Sequence, residues 1–182
     1  MIRYPLFIGI DINALNLYGE SALSTAAYYN QILCVEYLLN NRADPKLYVQ
    51  SFLLMENVFF LSRRLSAGHT AVHIACRLAN VPILQLLLSI KKEEDEDEER
   101  FQERKDKHIY DCLRIHDHAN LTPIHWAATQ ESVSKRQKMF AYLDKQMPGV
   151  LDSRYNTNWF HSWAKTHPWV VEQKSNKNPL AV

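Results

Sequence analysis

The stretch "GHTAVHIAC", residues 68 to 76, decides how this chain is read. Gly68 permits a tight bend, and two positions later the Thr70 hydroxyl can accept a hydrogen bond from a free N–H of a first helical turn. Val72, Ile74 and Ala75 then open the helix. The same joint recurs as "GESALSTAA" at residues 19 to 27 and "NLTPIHWAA" at residues 120 to 128. In each, a hydroxyl residue (Ser21, Thr70, Thr122) lies two positions after the bend, a large aliphatic (Leu23, Val72, Ile124) four after it, and small residues seven and eight after it. Thr122-Pro123 places proline at the first helical position, where its missing N–H costs nothing. Ala26, Ala27, Ala75, Ala127 and Ala128 let a short helix approach its neighbours closely. Self-similarity of this kind marks a repeat architecture.

A second apolar element follows each of the first two joints. Val35, Leu38 and Leu39, and likewise Leu84, Leu87 and Leu88, fall at i, i+3 and i+4, one face of an amphipathic helix. Both triplets begin 16 residues after their glycine. The unit is a bend, a short helix, a turn and a second helix, and it is too small to bury its apolar face alone.

These residues resemble the ankyrin repeat, whose pattern runs D-x-x-G-x-T-P-L-H-x-A-A, then an apolar second helix ending in L-L, then G-A-D-x-N. The first full unit matches with Asn16, Gly19, Ser21, Leu23, Ala26, Ala27, Val35, Leu38, Leu39, Ala43 and Asp44. The second matches with Gly68, Thr70, Val72, His73, Ala75, Leu87 and Leu88. The third matches with Asp117, Thr122, Pro123, Ile124, His125, Ala127 and Ala128. Asn120 stands where the family has Gly, and Asn enters the left-handed region more readily than other non-Gly residues. The resemblance implies an all-α solenoid of stacked helix-turn-helix units joined by short hairpins and loops.

It also implies a domain map: a partial unit at 1–15, a repeat at 16–45, an insertion at 46–64, a repeat at 65–90, a charged insertion at 91–113, a repeat at 114–149 and a divergent unit at 150–182. The partial first unit is the tail "GIDINALN", with residues 1 to 8 as the remnant of a second helix. Such a start fits a fragment, a divergent paralogue or a truncated gene product. The bends are 49 and 52 residues apart, against a family period of about 33, so each joint carries an insertion. In the first, Tyr48, Val49, Phe52, Met55, Phe59 and Phe60 recur at nearly helical spacing, as an extra packed helix or an exposed anchor for a partner. Gln50, Ser51, Glu56 and Asn57 interrupt it, so it is no membrane span. The second insertion holds seven consecutive acids, residues 93 to 99. It reads as a solvated loop or frayed helical extension, locally supported by Glu96 with Arg100 and Glu103 with Lys107, or as a lure for a basic partner. Trp159, Trp163 and Trp169 read as the seal of the last unit.

Composition suits one soluble domain: 182 residues, 47% hydrophobic, 23% charged. A net charge of +1 gives no electrostatic case for nucleic acid or for an anionic membrane. The chain opens with no signal-peptide pattern. Three cysteines, with Cys34 and Cys76 inside repeat helices, read as reduced and packed, which suits the cytoplasm and leaves the nucleus open. With only four glycines there is no phosphate-binding loop, and neither a cofactor nor a small-molecule substrate is implied. His108, Cys112, His116, His118 and His125 offer nitrogen and sulfur donors, but C-x3-H-x-H lacks paired CxxC spacing. A metal-binding or Cys-His activity is the alternative from another class.

The resemblance therefore implies a non-enzymatic scaffold that binds another protein through the concave face. A regulatory ankyrin segment is the narrower alternative, similar to an inhibitor of Rel-type transcription factors or to the cytosolic domain of a vanilloid-type channel. The variable positions fall on Leu17, Tyr18, Glu20, Tyr28 and Tyr29, on Ser66, Ala67, His69, Arg77 and Leu78, and on His118, Ala119, Leu121, Thr129 and Gln130. Tyr18, Tyr28, Tyr29 and Arg77 are the expected energetic centre, because aromatics and Arg dominate interface hot spots.

Overall fold

A computed structural model describes residues 11–17, 19–48 and 68–147. Among these residues the chain forms seven helices and no strand or sheet: α1 (Ala22–Tyr28), α2 (Ile32–Asn40), α3 (Ala71–Arg77), α4 (Val81–Leu88), α5 (Glu98–Arg114), α6 (Pro123–Ala128) and α7 (Val133–Gln146). The helices pair as α1 with α2, α3 with α4 and α6 with α7. Stacking places α3 between α1 and α6, and α4 between α2 and α7. This is the helical repeat solenoid that the recurring joints imply.

Each inner helix starts as its sequence requires. Gly19, Gly68 and Asn120 hold φ of 74°, 83° and 61°, the left-handed bend that glycine enters freely and asparagine with modest strain. At Gly68 a second constraint acts, because a Cβ there would stand 2.6 Å from the backbone nitrogen of His118. Ser21 Oγ then accepts from the Ser24 N–H at 3.1 Å and Thr70 Oγ1 from the His73 N–H at 3.3 Å.

The inner helices α1 and α3 end in left-handed turns without glycine. Asn30 (φ 56°) and Ala79 (φ 50°) each donate to the carbonyl three residues back. The next residues, Gln31 and Asn80, donate to Ala26 and Ala75, each at 2.9 Å. This six-residue closure satisfies carbonyls that a helix end leaves free. The two turns are joined directly, with Asn80 Nδ2 donating to Asn30 Oδ1 at 2.6 Å while Asn80 Oδ1 caps α4 through the Ile83 N–H.

The core runs through the stack: Leu23 and Val35 from the first pair, Val72, Ile74, Ile83, Leu84 and Leu87 from the second, Met139 and Leu143 from α7. Ala27, Ala75 and Ala127 have no exposed surface, which is why the inner helices can lie so close.

The charged insertion begins as the expected exposed loop over residues 91–97, but its helical part is anchored rather than frayed. It forms the 17-residue helix α5, capped by Asp97 Oδ1 accepting from the Arg100 N–H at 2.8 Å. Its far half buries Ile109, Cys112 and Leu113. Glu96 pairs with Arg104, at 2.5 Å, rather than with Arg100, and the same guanidinium donates to the Lys91 carbonyl. The acids precede and cap the helix, while its apolar stripe anchors it. Cys34 also differs from expectation, since it is exposed. The unit at 1–8, residues 49–64 of the first insertion and the tryptophans of the last unit lie outside the described residues.

Candidate functional site

The C-terminal ends of the inner helices form a row. Tyr28 and Tyr29 close α1, Arg77 and Leu78 close α3, and Thr129 and Gln130 follow α6. The Tyr28 and Tyr29 rings meet edge to face, 5.1 Å apart. The Arg77 guanidinium lies 5.9 Å from the centre of the Trp126 ring, a cation–π geometry. Gln130 Nε2 donates to the Arg77 carbonyl at 3.2 Å, tying the second and third segments of the row together. Burial lowers the Arg77 pKa, against the neighbouring Tyr28.

The expected site residues therefore separate into groups. Tyr28, Tyr29, Arg77, Leu78, Thr129 and Gln130 share the row; Tyr29 is half exposed, and Leu78 leans on the core. Leu17, Glu20, His118 and Ala119 sit at the opposite ends of the inner helices, on the bends, about 10 Å away along a seven-residue helix. Leu17 is exposed there, and the His118 ring lies 6.3 Å from Tyr48. Tyr18, Ser66 and Ala67 lie outside the described residues.

Two expected contacts are corrected by burial. His69 has no exposed surface and Leu121 only 3%, so neither touches a partner. His69 packs between His73, parallel at 5.4 Å, and the Trp126 edge at 4.6 Å. Its Nε2 lies 3.2 Å from Asp117 Oδ2, off the alignment of a hydrogen bond. Burial lowers the His69 pKa against the pull of Asp117. The Leu121 carbonyl instead receives His73 Nε2 at 3.1 Å.

Asp117 organises the bend before α6. Its Oδ1 accepts from the Ala119 and Leu121 N–H groups at 2.8 and 2.9 Å, and its Oδ2 from the Trp126 indole at 2.7 Å. Burial opposes its charge, yet His69, the Leu121 N–H and Trp126 hold its pKa down to about 2. Asn16 plays the same part in the first unit, with Oδ1 accepting from the Glu20 N–H at 2.9 Å.

Two stretches, residues 18–48 and 67–93, match the family model described as Ankyrin repeat. The chain carries ankyrin repeats. Ankyrin repeats are generally protein–protein interaction modules and typically lack enzymatic activity. The α6–α7 pair lies beyond both matched stretches, but repeats the ankyrin features: a left-handed bend at Asn120, and His125 Nδ1 accepting from the Thr122 N–H at 3.0 Å. No curated protein matches the chain. No helix among the described residues is long and apolar enough to cross a membrane.

The ankyrin fold disperses the histidine-rich segment. His108 Nε2 donates to the Leu87 carbonyl at 3.0 Å, closing the last turn of α4, with Cys112 Sγ 3.7 Å away. Burial raises the Cys112 pKa to about 12, so the thiol is protonated at neutral pH. His125 is spent on the α6 cap. Among the described residues no group of three His, Cys, Asp or Glu side chains converges as a metal site.

One surface escaped the sequence reading. At the α1–α2 edge of the ankyrin stack a groove of about 780 Å³ is lined mainly by apolar atoms of Ala14, Leu15, Tyr29, Leu33, Cys34 and Tyr37. Leu33 is 79% exposed and Tyr37 51%. The signal was present in "ILCVEYLL", which is apolar beyond the Val35–Leu38–Leu39 stripe. A helix apolar on more than one face has more than one face to cover.

Proposed function

We propose that this chain is a non-enzymatic scaffold that binds a partner protein through the row of inner-helix ends, with Tyr29, Tyr28, Arg77 and Gln130 at its centre. The observation that carries the reading is the row itself, in which the Gln130–Arg77 hydrogen bond and Arg77 over Trp126 join the second and third repeats and Tyr28 acts on the Arg77 charge from the first. Aromatic rings and a guanidinium held in place lose little rotamer freedom on binding, and such residues dominate binding energy. A cytoplasmic setting belongs to the same proposal and is supported by three unpaired thiols, Cys34, Cys76 and Cys112.

Affinity capture from cell lysate tests it with three proteins: the wild type, a Tyr29→Ala/Arg77→Ala variant and a Leu33→Glu variant, each checked for fold by circular dichroism. The expected result is a partner retained by wild type and Leu33→Glu and lost by the double variant. Loss with Leu33→Glu alone would move the binding surface to the α1–α2 edge groove, which the exposure of Leu33 and Tyr37 favours as the second reading.

A further inference from the structure

We propose that residues 1–10 of this chain seat in the groove at the α1–α2 edge and cover it as α1 and α2 cover the second repeat. The groove is a repeat contact with one side open. Counted from Gly19 and from Gly68, the residues Ala22, Thr25, Cys34 and Leu38 hold the same places as Ala71, Ile74, Ile83 and Leu87. In the second repeat those side chains are buried, where α3 packs on α1 and α4 on α2. In the first repeat Ala22 and Cys34 are exposed and Thr25 and Leu38 half-buried, and all of them line the groove. Stacked repeats bury each apolar face against a neighbour, so this face calls for an apolar segment in the place that α1 and α2 take against α3 and α4.

The chain delivers such a segment to that spot. Asp11 Oδ1 accepts from the Asn13 N–H at 2.9 Å, and Asp44 Oδ1 from the Lys46 N–H at 2.8 Å. Residues 11–13 thus repeat the turn that follows α2, one family period of about 33 residues earlier. The two turns are fastened to each other, the Asp44 N–H donating to Asn13 Oδ1 at 2.9 Å, and Ile12 packs against the core. The described chain therefore begins beside the end of α2, at one end of the groove wall.

The residues ahead of Asp11 have the composition that the groove needs. In the register that sets Asp11 on Asp44, Ile2 and Leu6 fall at the places of Val35 and Leu39. Gly9 falls at the place of Arg42, whose φ of 68° is one that glycine enters freely. Pro5 stands at the place of Leu38, so the segment cannot repeat α2 as an unbroken helix; what it repeats is the apolar pattern, extended by Phe7 and Ile8. Arg3 is the one charged side chain in it. A segment joined directly to its groove is held there at an effective concentration on the order of millimolar, which favours it over a second copy of the chain. With the groove filled from within, the row of inner-helix ends stays open to a partner.

Cys34 reports on the groove, since it is exposed on the groove wall while Cys76 and Cys112 are buried. The full chain is alkylated with iodoacetamide and the modified cysteines are read by mass spectrometry, in wild type, Phe7→Glu and Leu33→Glu. Cys34 is expected to react about tenfold more slowly in wild type than in either variant, with Cys76 and Cys112 unreactive throughout. A carboxylate beside a thiol disfavours the thiolate, so faster reaction in Leu33→Glu reports uncovering. Equal Cys34 rates in the three proteins overturn the proposal and leave the groove to an external partner. Protection that grows with protein concentration overturns it in favour of a second copy. Should Phe7→Glu lose its fold, seen as reaction of Cys76, Leu33→Glu decides by the same criterion.

Discussion

His73 Nε2 reaches the carbonyl oxygen of Leu121 across 3.1 Å and 48 positions of sequence, while its Nδ1 caps the helix that carries it. One side chain thus starts α3 and fastens the following repeat. Replacing His73 by Ala leaves a buried N–H and a buried carbonyl unpaired, and a loss of about 3 kcal/mol is expected. Urea unfolding measures it. A loss below about 1 kcal/mol would show that the imidazole does not hold the joint.

Gly68 meets two demands at once, a φ of +83° and a backbone approach to His118. A methyl group at position 68 would meet the His118 nitrogen at 2.6 Å and the Asp117 Cα at 3.0 Å, atoms of backbone that cannot swing aside. Gly68→Ala is expected to lower stability by about 3 kcal/mol. Thermal unfolding reads this as a clear drop in Tm, and an unchanged Tm contradicts it.

Arg42 presents the reverse case. It sits at φ 68° after the end of α2, where its N–H donates to the Leu39 carbonyl and the next N–H, from Ala43, to Leu38. The side chain is exposed and the backbone is left-handed, so Arg42→Gly is expected to raise stability by about 1 kcal/mol. A higher urea midpoint with an unchanged m-value is the expected signature.

The buried end of α5 holds the acidic segment on the stack. Leu113 has no exposed surface, and Leu113→Ala is expected to cost about 3 kcal/mol through the lost burial and the cavity. Replacing exposed Glu94 by Gln is expected to change stability by less than about 0.5 kcal/mol. Equal effects of the two would mean that α5 is not anchored by its apolar stripe.

Strong acid neutralises the Asp117 carboxylate. Its pKa is depressed from 3.8 to about 2, so the folded state binds its proton later than the unfolded one. The resulting stability, about 2 kcal/mol, is fully present above about pH 4 and disappears as pH falls through about 2. Comparing urea midpoints at pH 5 and pH 2 for wild type and Asp117→Asn checks it. The loss attributable to Asp117 is expected only in the wild type.

The inner helices were legible because their start signals are local. A left-handed bend, a hydroxyl two residues on and small residues at fixed offsets each act within one turn of chain; the bends at Gly19, Gly68 and Asn120 and the Ser21 and Thr70 caps took the expected form. The caps made by His73 and His125 act over the same short range, three residues from Thr70 and Thr122. The acidic run was legible as solvated, and Glu93 to Asp97 do lie in a largely exposed loop; what the charge density hid is that Ile109, Cys112 and Leu113 at the other end of α5 supply the burial that orders the helix after it.

By itself, the sequence determined the repeat unit, its bends and caps, and the helical stack that buries their apolar faces, since these follow from interactions a few residues apart. Tertiary structure alone decided that His69 and Leu121 go inside while Tyr29 stays on the row, that Cys34 and Leu33 are left at an open edge, and that His73 bonds to Leu121. Burial of a side chain on a stacked repeat depends on which neighbour covers it, and that neighbour lies 48 or more positions away for His73 and Leu121. No local pattern carries that distance.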